Sequence, residues 1–497
     1  MTTISSLPAG SSALAAALAS AKAAAAARQP AADAPAGSDL APSSPTLTIT
    51  TVPQQSVVYR FPAPVRAWAQ PPQDGISALM ARNFGASGVG KDLAKQWSGL
   101  GGALLSQVAQ GAAAGPFTYQ QTLLANADTT QPVDAQLRSV QFGATTVALQ
   151  VKTRSGQTVS LHIDVNNKVG ADGSMGTQGI RVTVSSTGAL SDTERKALAD
   201  LASGLDEALN GLGQDPPQLA LQGLLGAGVG ASGGVFTRLS LDIQGAAAFK
   251  SFALNLDAHA KTLALDTATS KVNLKLDADS PLQSANAQQR QAAIAQYLQQ
   301  IDAAAQRSHA DASLVALFKD GFAQMQGITP SDSAAAERLL GSRSLADKVL
   351  PRLSGLADFE ASFSNDFKKF NQAGQVTEAG HVDYQISQHT TCKTAPDKGD
   401  ASITQKQNES LKGHYLKALY GGELKPDEGN YEKFVFNDST STTTQIEARN
   451  GQLVSALQTV EKSRSMLYER LEKHRVVERR ETPERQSFAR SLLSDSM

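Results

Sequence analysis

A chain of 497 residues is too long for one hydrophobic core, and its 41% apolar content is enough to fold on. With 45 basic and 46 acidic residues, the net charge of -1 leaves no overall field to draw nucleic acid or an anionic membrane. The single cysteine, Cys392, excludes an intramolecular disulfide framework and a multi-cysteine zinc site.

Residues 1–53 are Ala, Ser, Thr and Pro with few charges and no aromatic side chain. Such a stretch buries too little surface to offset chain entropy, which predicts a disordered leader with a transient helix over 13–27. Residues 12–27 are Ala-rich, yet no Lys or Arg precedes them and Lys22 interrupts them, so the pattern of a cleaved signal peptide is not met. The uncharged stretches 96–127 and 216–237 are diluted by Gly, Gln and Ser, and neither holds about 18 consecutive apolar residues, so no membrane span is expected. The first acid of the chain is Asp33, and this flexible, acid-poor, Ser/Thr-rich leader resembles those of bacterial type III secretion substrates.

Residues 54–133 read as helical, with Ile76, Leu79, Met80 and Phe84 on one stripe and Trp97, Leu100, Leu104 and Val108 on another. Strand signals follow: Val147, Leu149 and Val151 alternate, Ser155-Gly156 turns, and Val159, Leu161, Ile163 and Val165 alternate on the return. Ile180, Val182 and Val184 add a third strand. Ser191 and Glu194 form a capping box ahead of a Leu198, Leu201, Leu205, Leu209, Leu212 stripe, so a helix over 191–212 is predicted, with Pro216-Pro217 forbidding continuation. A short helix over 218–225 and strands over 239–243, 252–256, 263–265 and 272–276 complete an α+β domain at 134–279.

Residues 280–356 switch to helical period and read as a bridge or small bundle, carried by Tyr297, Ile301, Leu314, Phe318 and Phe322. Residues 357–497 read as a second α+β domain with strands at 359–363, 382–386, 431–436 and 442–448. Asn450-Gly451 is a strong hairpin signal, since both residues tolerate positive φ. Beyond it, Leu453, Leu457, Val460, Leu467 and Leu471 fit a helix while the hairpin wants a returning strand; the reading is a short strand, then a charged helix ending before Pro483. The expected fold class is therefore α+β: antiparallel sheets covered on one face by helices, a helical bridge between two α+β regions, and a disordered N-terminus.

Several short motifs imitate chemistry. Residues 85–91 spell a phosphate-binding loop up to Lys91, but Asp92 stands where a magnesium-holding hydroxyl belongs and a helix, not a strand, is predicted before it. Gly230, Ser232 and Gly234 spell a hydrolase elbow, but between a Gly-rich linker and a strand rather than a strand and a helix. His381, His389 and Cys392 lie close in sequence, yet on an extended strand the two histidines share a face that Cys392 does not. Asp164, Asn166 and Asn167 lack the remaining acids of a calcium loop. The charged stretch 461–490 interleaves Arg475, Arg479, Arg480 and Arg485 with Glu469, Glu472, Glu478 and Glu481, which argues for a solvated face rather than nucleic-acid binding.

No catalytic, cofactor-binding or metal-ligating residue is assigned. The expected function is that of a non-catalytic interaction or structural protein of bacterial type, with a protein partner, no nucleic acid and no membrane span. A secreted effector exported through its leader, and a hydrolase assembled from distant residues, are the other two readings. The expected compartment is the cytoplasm or the exterior, reached without a cleaved signal peptide; the oligomeric state is left open.

Overall fold

The computed structural model describes residues 65–68, 74–85, 96–110, 116–124, 132, 135, 144–167, 177–214, 216–231, 233–246, 248–280, 282–284, 286–327 and 333–493. The disordered leader expected at 1–53, with the transient helix expected over 13–27, lies outside them. Among the described residues, the chain from Phe61 onward forms a compact unit built on a single antiparallel sheet of fifteen strands.

The first part of the sheet holds β1 (Val65–Trp68), β2 (Phe117–Leu124), β3 (Thr145–Thr153), β4 (Thr158–Asn167) and β5 (Thr177–Ser186), in the order β1-β2-β5-β4-β3. Helices α1 (Gly75–Gly85) and α2 (Leu100–Ala109) lie between β1 and β2. The all-helical expectation for 54–133 is thus corrected: Phe117–Leu124 is a strand, because Phe117, Tyr119 and Gln121 alternate against Val184, Val182 and Ile180 of β5.

Helix α3 (Asp192–Leu212) begins where the sequence predicts, with Ser191 Oγ accepting from the Glu194 N–H and Glu194 answering the Ser191 N–H at 2.9 Å. Its leucine stripe is fully buried. The short helix expected at 218–225 shrinks to α4 (Gln222–Leu225). From β3 the sheet runs in chain order through β6 (Phe236–Gln244), β7 (Ser251–Asp257), β8 (Ala260–Asp266) and β9 (Ser270–Asp277). From Leu239 onward, every second residue of these strands is buried.

Four helices follow: α5 (Ala287–Ser308), α6 (Ala312–Gly327), α7 (Ser333–Leu340) and α8 (Arg343–Val349). They do not bridge two sheets, which corrects the second expectation. The next strand, β10 (Phe359–Phe370), pairs directly with β9, Phe359 opposite Leu276 and Phe363 opposite Val272, so the sheet continues across the helical excursion. Matching apolar alternation on both strands fixes that register.

The sheet then lengthens. β11 (Val376–Ala395), β12 (Asp400–Ala418), β13 (Tyr431–Arg449), β14 (Gln452–Glu472) and β15 (Arg475–Ser491) follow, joined by tight turns except between β12 and β13, where residues 419–430 form a longer loop. Asn450 and Gly451 both have positive φ, 51° and 72°, as the hairpin signal requires. The charged helix expected before Pro483 is replaced by the β14–β15 hairpin. Lys473 and His474 turn it with φ of 49° and 63°, a conformation their side chains do not advertise.

Two apolar clusters form. The larger joins strands β3 to β13 with α1 to α6, and the smaller joins α7 and α8 to Ile403, Ile446 and Ala456. Between them runs a polar belt: Thr390 donates from N–H and Oγ1 to Asp358 at 2.6 and 2.7 Å, Gln405 reaches Thr390 at 3.1 Å, and Gln407 reaches Gln388 at 3.2 Å.

Candidate functional site

Strands β8 and β9 turn at Thr267–Ser270, whereas β10 runs on to Phe370. The Asp366 N–H donates to the Thr269 carbonyl at 2.8 Å, the last bond β10 makes to that turn. Because strand bonds alternate in direction, Lys368 is the next position whose backbone faces outward, past the end of β9. β11 covers only the other edge, pairing Phe367 with Gly380.

At this step in the sheet lies an open cleft of about 1030 Å³. Its volume and mostly apolar lining are those of a ligand pocket. One wall comes from α6 and the buried strand set: Leu314, Leu317, Leu265 and Phe367. The opposite wall comes from the other face of the sheet: Asp366, Lys368, His381, His414 and Leu416. Side chains of both faces line one concavity because no described strand pairs the edge between them. Phe370, 61% exposed, stands at its rim.

Strand pairing alone assembles the polar wall. Asp366 lies opposite His381, and His381 opposite His414. His381 Nδ1 is 2.6 Å from Asp366 Oδ1 and Nε2 is 3.1 Å from Asp383 Oδ2. Burial opposes the imidazolium, but the two carboxylates outweigh it and raise the His381 pKa. Both ring nitrogens of His381 are thus engaged by carboxylates, which favour its charged form and fix the ring in the cleft wall. Asn365 anchors the apolar wall, donating to Ser270 Oγ at 2.9 Å and accepting from the Asp311 N–H at the start of α6.

The three residues singled out together in the sequence are not brought together. His381 and His389 share one face of β11, eight residues and about 26 Å apart. His389 stands 3.8 Å from Asp358, and Cys392 packs opposite Ile403. Burial pushes the Cys392 thiol up to about 11, the reverse of an activated nucleophile. Lys91 and Ser232 lie outside the described residues; Gly85 ends a helix, and a strand follows Gly234. Asp164 sits on β4 with His162 at 3.0 Å. Among the described residues no cluster of His, Cys, Asp and Glu could hold a metal ion, and no helix is long and apolar enough to cross a membrane.

Asp366, Asp383 and His414 carry no local motif. The signal that points to them is the unequal length of adjacent alternating runs, 270–277 against 359–370. A second polar cluster, Asp358 with Thr390 and Gln388, is closed by its own hydrogen bonds. No protein-family model, no curated protein and no solved structure matches this chain.

Proposed function

We propose that the chain is a non-catalytic interaction protein, in which helices packed on one face of a long sheet leave a cleft at the β9–β10 step open to a protein partner. The observation that carries this reading is the cleft itself. It joins an apolar wall to a polar one at a strand edge that no described strand pairs, and in that polar wall two carboxylates hold His381 in place. A cleft of this size left uncovered is the ordinary mark of a binding surface.

Titration with 8-anilinonaphthalene-1-sulfonate, a small probe of apolar clefts, tests it. A saturable site should disappear in Phe370→Asp, which removes an exposed ring and leaves the core alone. A folded protein that binds no probe, or whose binding Phe370→Asp leaves unchanged, would contradict the reading.

A further inference from the structure

Resting on that reading, we infer that the cleft takes an extended polypeptide, alternately apolar and polar, that adds as a strand to the free edge of β10 in the place β9 vacates. The backbone argues for a strand. The Asp366 N–H still reaches the β8–β9 turn, and beyond it the outward N–H and C=O of Lys368 meet no described strand. Such groups inside a half-enclosed cleft favour a partner that supplies main-chain donors and acceptors in strand geometry.

The walls argue for the alternation. A strand beside β10 directs successive side chains to opposite faces. Those level with Phe367 meet Leu314 and Leu317, and those level with Asp366 and Lys368 meet the rim that carries His381. The occupant therefore places apolar side chains on the first set of positions and polar ones on the second.

The outer strand offers a contrast within the same sheet. The Leu492 N–H donates to the Ala456 carbonyl, so even-numbered positions of β15 face β14 and Pro483 turns its N–H-less nitrogen outward. A proline there, among Arg and Glu, obstructs strand addition. Between Phe367 and Phe370, β10 has no proline.

The test uses the full chain and a dye-labelled seven-residue peptide alternating valine with threonine and lysine, read by fluorescence anisotropy. Two further peptides carry N-methyl groups on one or the other alternate set of amides. The protein variant is Lys368→Pro, which removes the outward N–H and no bond to β11, with its folding checked by circular dichroism. The inference expects the plain peptide to bind, one methylated peptide and Lys368→Pro to lose at least tenfold, and the other methylated peptide to bind as before. Equal binding by both methylated peptides and by Lys368→Pro would overturn strand addition, while the anilinonaphthalene site survives. Absence of peptide binding beside an intact anilinonaphthalene site would overturn it too, and loss of both would remove the underlying reading. Should Lys368→Pro fail to fold, the two methylated peptides decide alone on the unaltered protein.

Discussion

Strands β3 and β15 belong to one sheet and are held in it by different means. Along β3, Thr145, Val147, Leu149, Val151 and Thr153 are buried. Along β15, sixteen positions are exposed and Glu478 alone is partly covered. Ordering a residue costs about 1–2 kcal/mol. β3 offsets that by removing apolar surface from water at about 25 cal/mol per Å². β15 has only its ladder and cross-strand pairs, each contributing about 0.2–1 kcal/mol. Among them are Arg480 over the Tyr468 ring at 6.0 Å, Arg490 to Gln458 at 2.9 Å, and Arg479 to Glu469 at 3.9 Å.

An aromatic row links the two regimes. Tyr415 and Phe434 stack across β12 and β13 with centroids 4.5 Å apart, and Phe434 passes the contact to Tyr468 at 5.2 Å. Gly380 makes room at its buried end, where a Cβ would meet the Tyr415 Cβ at 2.6 Å and the Phe367 ring at 2.9 Å. The lesson is that one antiparallel ladder can be anchored at one end by burial and extended at the other by pairing alone.

The comparison breaks first in the core. Phe318 is fully buried against Phe363 and Tyr384, so Phe318→Ala should cost about 3–5 kcal/mol in urea denaturation. Next comes the junction, where Arg307 of α5 grips the buried Asp438 of β13 through two nitrogens. Arg307→Ala takes away that carboxylate's cation and leaves it the Ser465 N–H, which should cost about 2–3 kcal/mol by the same assay.

Glu194 gives a smaller effect with a pH signature. Burial alone would raise its pKa, but hydrogen bonds from Ser155, Ser191 and Thr153 hold it down at about 2, below the ordinary 4.5. Its contribution is therefore complete above about pH 4.5 and is lost as pH falls through about 2. Glu194→Gln should cost about 1 kcal/mol at neutral pH and flatten the acid limb of the stability curve. Smallest of all, Val477→Lys on β15 should change stability by no more than about 0.5 kcal/mol, because that side chain is 53% exposed.

How much of this is legible in the residues follows the same division. Helix α3 is readable end to end, since Ser191, Glu194 and the leucine stripe agree. Strands β3 to β9 are readable because one face is apolar. β12 is not, because its inward positions include Gln405, Gln407 and Glu409, and polar residues alternate with polar residues. β14 carries leucines that fit a helix equally well, and only the Lys473-His474 turn decides for a hairpin. The cleft is the least legible feature. Asp366, His381 and His414 meet through register, and the step exists because two neighbouring strands differ in length, a property no short window contains.

Native-state hydrogen exchange at two adjacent amides of β10 tests the free edge most directly. The Phe367 N–H faces β11 and should be strongly protected, while the Lys368 N–H faces the cleft and should exchange orders of magnitude faster. Equal, strong protection at Lys368 in the isolated protein would mean that the edge is already paired, and the account of the cleft would fall with it.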